Sequence, residues 1–393
     1  MNILFHFYRP IVPHIGGVQR VTDILSKEFT RRGHNVFFLS LKTDKEEELS
    51  YPYIYSQYFI DFDDKDTVKT AITELLKSNS IDIIISQIEL NRHLDTVLLF
   101  NSAGIQTKKI SFYHNTPFIF KGNIRRSSLA MNPTNLKYSL LKLFGILFPK
   151  IKENAKLRQT TRRYKEVMDA STVFCLLSDK FFPEFVEEMK LKDYSKLRAV
   201  NNPNTFSIKE IDDNYLHKEN IILFVGRVVE SKGVYDFVNI WKNLYKDNPS
   251  WKAVMVGNGP ELENVKAYAS KLNIHNICFE GRQSDVASYY KRAKILCLPS
   301  AYEGWGMVLT EGMAYGAIPI AYDTFASVHD IIDNGVSGFV TKPFAPNEMV
   351  EKIQFLIDNP DMMQKMADSA KLKIEEFDAT NIGDKWDELF DSI

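Results

Sequence analysis

Cysteine is scarce in this chain: Cys175, Cys278 and Cys297 are far apart among 393 residues and show no C-x-x-C spacing. That scarcity argues against a disulfide scaffold and a thiolate zinc site, and it suits a reducing compartment. Two of the three lie in apolar, strand-like runs and read as small buried hydrophobes. No run reaches the ~18 apolar residues needed to cross a bilayer. Met1-Asn-Ile-Leu-Phe-His-Phe7 has no basic region before it, so it reads as a first buried strand rather than a signal peptide. A cytoplasmic protein is expected. The G-x-x-x-x-G-K-[ST] order of a P-loop is missing, and no nucleic-acid module accompanies the basic residues.

What is present is an ordinary globular composition, 45% hydrophobic and 25% charged, with a net charge of −1. That charge is unevenly spread. Residues 1–200 carry 30 Lys/Arg against 22 Asp/Glu, and the remainder 19 against 28, which points to an anionic partner for the first half. The bias is strongest in residues 121–165, with 12 Lys/Arg and one acidic residue, Glu153. Leu136, Tyr138, Leu140, Leu141, Leu143, Phe144, Ile146, Leu147 and Phe148 are interleaved with them. Such a segment fits a helix lying on an anionic membrane surface, an acceptor or polyanion site, or a packed helix with a basic outer face.

Strand-like and helix-like patterns alternate along the whole chain. Asn2–Tyr8 reads as a strand, and Val18–Arg32 as a helix with Val18, Val21, Ile24, Leu25 and Phe29 near helical spacing. Asn35–Leu39, Ile81–Ser86, Lys109–Tyr113 and Ser171–Leu177 continue as strands. The pattern restarts after Asn201-Asn-Pro-Asn204, with strands at Ile221–Val225, Trp251–Val256, Ile277–Phe279, Ile295–Leu298 and Ile318–Tyr322. This repetition predicts two parallel α/β sheets, in domains 1–203 and 204–377, with the ligand in a cleft between them. The apolar spacing of Ile382, Trp386, Leu389 and Phe390 predicts a helix at about 378–393 that packs back on the first domain.

Four motifs carry chemistry. Gly16-Gly17 separates the first strand from the first helix. It suits backbone N–H groups facing a phosphate, or a plain turn. Gly226-Arg-Val-Val-Glu-Ser-Lys-Gly233 follows a strand, and Arg227 and Lys232 there can reach one diphosphate or simply be solvated. His114 ends a strand, as a ligand to a sugar hydroxyl or as a structural histidine. The richest run is Ser300-Ala-Tyr-Glu-Gly-Trp-Gly-Met-Val-Leu-Thr-Glu-Gly-Met-Ala-Tyr-Gly316. Gly304 and Gly306 leave room for a ligand against the backbone. Met307 opens a helix, with Glu311 in or near its first turn and Glu303 on the loop before it. Two carboxylates beside a helix N-terminus suit a ligand with both phosphate and hydroxyls, such as a nucleotide sugar.

Together these motifs resemble the family 4 retaining glycosyltransferases of the GT-B fold. The resemblance runs from Pro13-His-Ile-Gly-Gly-Val-Gln-Arg20 through Val256-Gly-Asn-Gly-Pro260 and Phe279-Glu-Gly281 to Asp333-Asn-Gly-Val-Ser-Gly338. It implies two Rossmann-like domains facing a central cleft, and transfer of a hexose from a nucleoside diphosphate sugar, UDP-linked, to a lipid-linked or polysaccharide acceptor. Arg227 and Lys232 would hold the diphosphate and Glu311 the ribose. Glu303 and His114 would contact the sugar. Gly16, Gly17, Gly226, Gly281, Arg282, Gly304, Trp305, Gly306, Met307 and Val308 would complete the donor site. No metal or other cofactor is implied, because cationic side chains meet the leaving diphosphate. The expected partners are the nucleotide sugar, a glycan or lipid-linked acceptor and an anionic membrane surface through 121–165, with no nucleic acid. The expected location is cytoplasmic, peripheral at the inner membrane face. A nucleotide-sugar epimerase of the same fold and a non-catalytic partner subunit are the rival readings. The chain departs from the family pattern at Asn115, where an acid is common after the histidine, and at Trp305, where Phe is common.

Overall fold

A computed structural model describes residues 1–13, 16–41, 51–60, 65–88, 100, 106–122, 124, 136–206 and 218–393. It divides into two units, one of residues 1–14, 29–199 and 393, the other of residues 15–28 and 200–392.

The first unit is built on a seven-stranded parallel sheet in the order β3-β2-β1-β4-β5-β6-β7. The strands are β1 (Asn2–Phe7), β2 (Asn35–Ser40), β3 (Ser56–Phe59), β4 (Ile83–Ile88), β5 (Lys108–Tyr113), β6 (Val173–Leu176) and β7 (Leu197–Ala199). Ile3-Leu4-Phe5, Phe37-Phe38-Leu39 and Ile83-Ile84-Ile85 are all buried, as a parallel sheet covered on both faces requires. Helix α1 (Gly17–Arg31) lies between β1 and β2, and α2 (Lys65–Ser78) between β3 and β4. Leu4, Phe37 and Leu39 pack with Val68, Ile72, Leu75 and Leu76 of α2 in one core. The weakly patterned β3 and α2 escaped the sequence reading.

After β5 the basic segment forms two helices, α3 (Leu136–Leu147) and α4 (Pro149–Ala170), where the sequence suggested one helix on a surface. Pro149 explains the break. It opens α4 at a position where its missing N–H is not needed, and it cannot continue α3. Arg125 and Arg126 and the side chain of Lys137 lie outside the described residues. Helix α5 (Phe182–Met189) follows β6.

The second unit holds a six-stranded parallel sheet in the order β10-β9-β8-β11-β12-β13. Its strands are β8 (Glu219–Val225), β9 (Lys252–Val256), β10 (Ile277–Gly281), β11 (Ala293–Leu298), β12 (Ile318–Tyr322) and β13 (Phe339–Thr341). Helices α6 (Val234–Leu244), α7 (Leu262–Lys271), α8 (Ala287–Arg292), α9 (Met307–Ala314) and α10 (Val328–Ile331) alternate with them, followed by α11 (Pro346–Asp358), α12 (Pro360–Ile374) and α13 (Ala379–Asp391). Phe237 and Trp241 of α6, Met255 of β9 and Ile318 of β12 share the core. In both sheets the winding reverses at the first strand, between β1 and β4 and between β8 and β11. Open α/β sheets leave a ligand crevice at such reversals.

The C-terminal helix α13 groups with the second unit. Its Lys385 donates to the Asn201 side chain at 2.8 Å, and just before it the Phe377 carbonyl accepts from the Asn204 N–H at 2.7 Å. Cys278 is exposed on the edge strand β10, whereas Cys175 and Cys297 are buried as expected. Among the described residues, no helix is long and apolar enough to cross a membrane.

Candidate active site

The second unit gathers most of the residues singled out by sequence. Because β8 and β11 are neighbours, the loops leaving their C-terminal ends meet. The first of these loops carries Arg227 and a 3-10 turn at Glu230–Lys232, and the second carries Glu303. The two are pressed together by glycine. Gly233 has φ +70°, and a Cβ there would stand 1.9 Å from the Pro299 carbonyl oxygen. The Ala301 N–H donates to the Ser231 carbonyl at 2.8 Å, tying the Glu303 loop to the Lys232 turn. Lys232 Nζ therefore reaches both oxygens of Glu303, at 2.6 and 2.7 Å. Arg227 stands exposed at the end of β8, with no ion-pair partner among the described residues.

Neighbouring backbone is equally tight. A Cβ at Gly257, φ +144°, would fall 1.8 Å from the Gly226 carbonyl oxygen, and Gly226 donates its N–H to Val256 at 3.0 Å. Gly281 accepts the Gly257 N–H at 2.7 Å, with Arg282 exposed beside it. These glycines bring the ends of β8, β9 and β10 to one level.

Helix α9 opens with Gly306 at φ +86° as its N-cap, and no side chain caps it. Its first amides are left to face an anionic group. Gly304 is fixed by Ser327, whose hydroxyl donates to its carbonyl at 2.9 Å. Met307 and Val308 begin the helix half-buried. A Cβ at Gly17 would meet the Met307 side chain at 3.8 Å, so the double glycine lies beside this N-terminus. The Gly16 carbonyl accepts the Arg20 N–H at 3.0 Å in the first turn of α1. The Trp305 ring is buried against Phe377, centroids 5.1 Å apart, which leaves its backbone as the part that can meet a ligand.

Glu311 is the fifth residue of α9, just past its first turn, and it is 3% exposed. Three donors hold it. Arg20 Nη1 and the Thr205 hydroxyl reach Oε1 at 2.7 and 2.9 Å, and the Tyr290 hydroxyl reaches Oε2 at 2.7 Å. A carboxylate accepts about four hydrogen bonds, so room remains for one more donor. Tyr290 is held in turn by Lys218, whose buried ammonium donates to the carbonyls of Tyr290, Lys291 and Ala293 at 2.9 Å each. Burial, and then the Glu311 charge, push the Tyr290 hydroxyl well above its ordinary pKa, so it stays a donor. Sequence reasoning missed Thr205, Lys218 and Tyr290, and gave Arg20 no role although it ends a quoted motif. Only a helix start at Gly17 hinted that Arg20 could join the site. The preceding His14 and Ile15 lie outside the described residues.

His114 belongs to the first unit, just past β5. It pairs with Gln87 of the adjacent β4 through Nε2. That contact leaves His114 Nδ1 buried without a hydrogen-bond partner among the described residues. Burial lowers the imidazole pKa to about 3. His114 is thus a neutral hydrogen-bonding group near pH 7 rather than a cation.

The model of the family "Glycosyl transferases group 1" matches residues 207–373. An uncharacterized glycosyltransferase of Haemophilus influenzae is 27% identical over 379 residues, covering 94% of this chain and 95% of that protein. A Campylobacter jejuni α-1,4-N-acetyl-D-galactosaminyltransferase, named for an undecaprenol-diphosphate-linked glycan, is 26% identical over 218 residues, 55% of this chain and 58% of its own. Among solved structures, Anabaena HepE in complex with UDP superposes over 100% of both chains, with a TM-score of 0.75 at 14% identity. That likeness establishes the GT-B architecture of the two parallel sheets.

Proposed function

We propose that this chain, a glycosyltransferase with the GT-B fold, moves a hexose with retention from a UDP-sugar to a lipid-linked or polysaccharide acceptor. The observation that carries the reading is the pair of built carboxylates on one loop and helix: Glu303 held by Lys232, and Glu311 held by Arg20, Thr205 and Tyr290. Relatives named for glycan synthesis and a structural neighbour bound to UDP support it. Residues 204–377 hold most of the donor site, with Arg20, Gly16, Gly17 and His114 added from 1–203, which otherwise takes the acceptor.

The residues have distinct parts. Glu311 accepts a ribose hydroxyl in its remaining position. Arg227, Lys232 and the amides of Gly306, Met307 and Val308 meet the diphosphate. When the bond from the anomeric carbon to the phosphate oxygen breaks, negative charge grows on the diphosphate and positive charge on the sugar. Fixed cations and amides stabilise the first, the electrostatic contribution that usually dominates such catalysis. Glu303, freed in part as Lys232 turns to phosphate, stabilises the second. Gly226, Gly281 and Arg282 line the base, and Gly16, Gly17, Gly304 and Trp305 shape the floor through their backbones. His114, its ring held by Gln87, meets the sugar through its backbone carbonyl. No metal or other cofactor takes part in this scheme. The enzyme works at the cytoplasmic face of a membrane, where a lipid-linked acceptor resides.

The test is titration of the protein with UDP, GDP and ADP, followed by thermal unfolding, first without and then with Mg2+. Selective stabilisation by UDP without metal is expected. At a hundredfold excess over Kd it amounts to about 2.7 kcal/mol. Glu311→Ala should abolish it. No stabilisation by any diphosphate, or full stabilisation of the Glu311→Ala variant, refutes the assignment.

A further inference from the structure

The helical pair α3–α4 leaves a group of large apolar side chains in water. Leu140, Leu143, Phe144, Leu147 and Phe148 are between 40% and 59% exposed, and Ile151 in the first turn of α4 is 57% exposed. Leu141 on the same helix is exposed too. Of all the exposed large hydrophobics in the described residues, no other such cluster exists in a single stretch. The Phe144 and Phe148 rings sit 5.4 Å apart, so the apolar end is continuous from one helix to the next. The Lys152 ammonium donates to the Leu141 carbonyl at 3.1 Å, which locks the two helices near their junction. A contiguous apolar patch of this kind marks an interaction site.

The chemistry of the partner is written along α4. Ile151, Ala155, Arg158, Arg162, Lys165 and Asp169 alternate at spacings of four and three and are all exposed. At 3.6 residues per turn they fall within an arc of about 80° on one face. Ile151, at the apolar junction, and the basic stretch therefore share one face of α4. Arg158, Arg162 and Lys165 also line a pocket of about 640 Å³ together with Lys190, Lys192 and Lys196. Two of these cations are already engaged. Arg162 pairs with Glu166 at 3.0 Å, and Lys196 donates to the Met168 and Ser171 carbonyls. Asp169 and Asp193 also line the pocket, the latter bound to Ser195. Arg158, Lys165, Lys190 and Lys192 are left for an outside anion.

We infer that α3–α4 docks on an anionic phospholipid bilayer: the α3–α4 junction inserts its apolar side chains below the headgroups, and the basic pocket beside α4 takes a headgroup phosphate. Charge complementarity selects this occupant. A protein groove would match the apolar end but leave the cations of α4 unpaired, whereas a lipid leaflet presents hydrocarbon and phosphate in adjacent layers. An amphipathic segment buries its apolar face ~5–10 Å into the boundary. With a rise of ~1.5 Å per residue, Arg158 stands about 15 Å along α4 from Phe148, within reach of the headgroup layer of a tilted helix. The inference deepens the proposed function by naming the surface on which the acceptor would be met, and it rests on that reading only for its biological purpose.

The experiment is flotation of the full chain with vesicles of phosphatidylcholine, alone and mixed with phosphatidylglycerol, over a range of salt. Wild type should float with the anionic vesicles. Leu143→Ser, Phe144→Ser and Leu147→Ser combined should weaken binding tenfold or more at high salt. Arg158→Glu with Lys165→Glu should remove the preference for phosphatidylglycerol, with a loss of tenfold or more at low salt. Each variant is also titrated with UDP. Unchanged UDP stabilisation shows that the fold and the donor site are intact, so loss of flotation is read as loss of docking. Absence of UDP stabilisation in wild type would strike the glycosyltransferase assignment and leave the docking result standing. A wild type that does not float, or variants that float as well as wild type, overturns the inference. So does a wild-type dimer in sedimentation that the serine substitutions dissolve, which would make a second copy the occupant.

Discussion

Acidification should destabilise the first unit through His114. Burial lowers its imidazole from the ordinary 6.5 to about 3 in the folded chain. Between those values the unfolded chain binds the additional proton. Stability is therefore fully present above pH 6.5 and is lost as pH falls toward 3. At about 1.4 kcal/mol for each pH step of one below 6.5, the loss between pH 7 and pH 5 is about 2 kcal/mol. The assay compares wild type with His114→Gln, which cannot titrate, by calorimetry and far-UV circular dichroism at the two pH values. Acidic groups common to both proteins cancel in the comparison. The four tryptophans, Trp241, Trp251, Trp305 and Trp386, all lie in the second unit, so their fluorescence follows that unit as an internal reference. The difference should appear in calorimetry and circular dichroism. Equal pH slopes in the two proteins, or an imidazole C2 proton titrating near 6.5, refutes the reasoning. The kcat/KM profile should likewise show no His114 limb between about pH 5 and 8, where an unperturbed histidine titrates.

Three further outcomes follow from the second unit. Gly233→Ala should cost on the order of 3–4 kcal/mol in denaturant unfolding, since it adds left-handed strain and a Cβ 1.9 Å from the Pro299 oxygen; a cost below that of an exposed glycine change would contradict the packing. Tyr290→Phe removes a buried donor to Glu311 and should lower stability by about 1.5–3 kcal/mol and weaken UDP binding together. Measured by tryptophan fluorescence and titration, an effect on one without the other would separate Tyr290 from the donor site. Lys218→Met leaves three carbonyls without their buried donor. It should destabilise by about 2–4 kcal/mol and carry a UDP-affinity loss through Tyr290, and an unchanged affinity would break that chain of support.

Much of the fold could be read directly. Ile221–Val225 and Ile318–Tyr322 stand out as strands because a parallel sheet buries both faces, so the run is apolar without alternation. β8 extends two residues earlier, to Glu219, because hydrogen bonding rather than hydropathy ends a strand. Helix α9 could be placed from Gly306 and Met307, with Glu311 just past its first turn. The helix and strand of α2 and β3 were not legible, because Ser56-Gln-Tyr-Phe59 shows no strong run and the α2 stripe is diluted by polar residues.

The amino-acid pattern by itself determined which residue types stand at loop ends after strands: glycines at 226, 233, 304 and 306, cations at 227 and 232, carboxylates at 303 and 311. Local sequence can specify these because strand hydrophobicity, turn conformation and helix start are short-range properties. Which of them touch was decided by tertiary structure alone. Lys232 meets Glu303 because β8 and β11, 71 residues apart at that contact, are neighbours where the sheet's winding reverses. Arg20 meets Glu311 across 291 residues, and Tyr290 reaches it only because Lys218 fixes the end of α8. Strand order and the packing of distant chain segments set those distances, and neither is encoded in the spacing of any one motif.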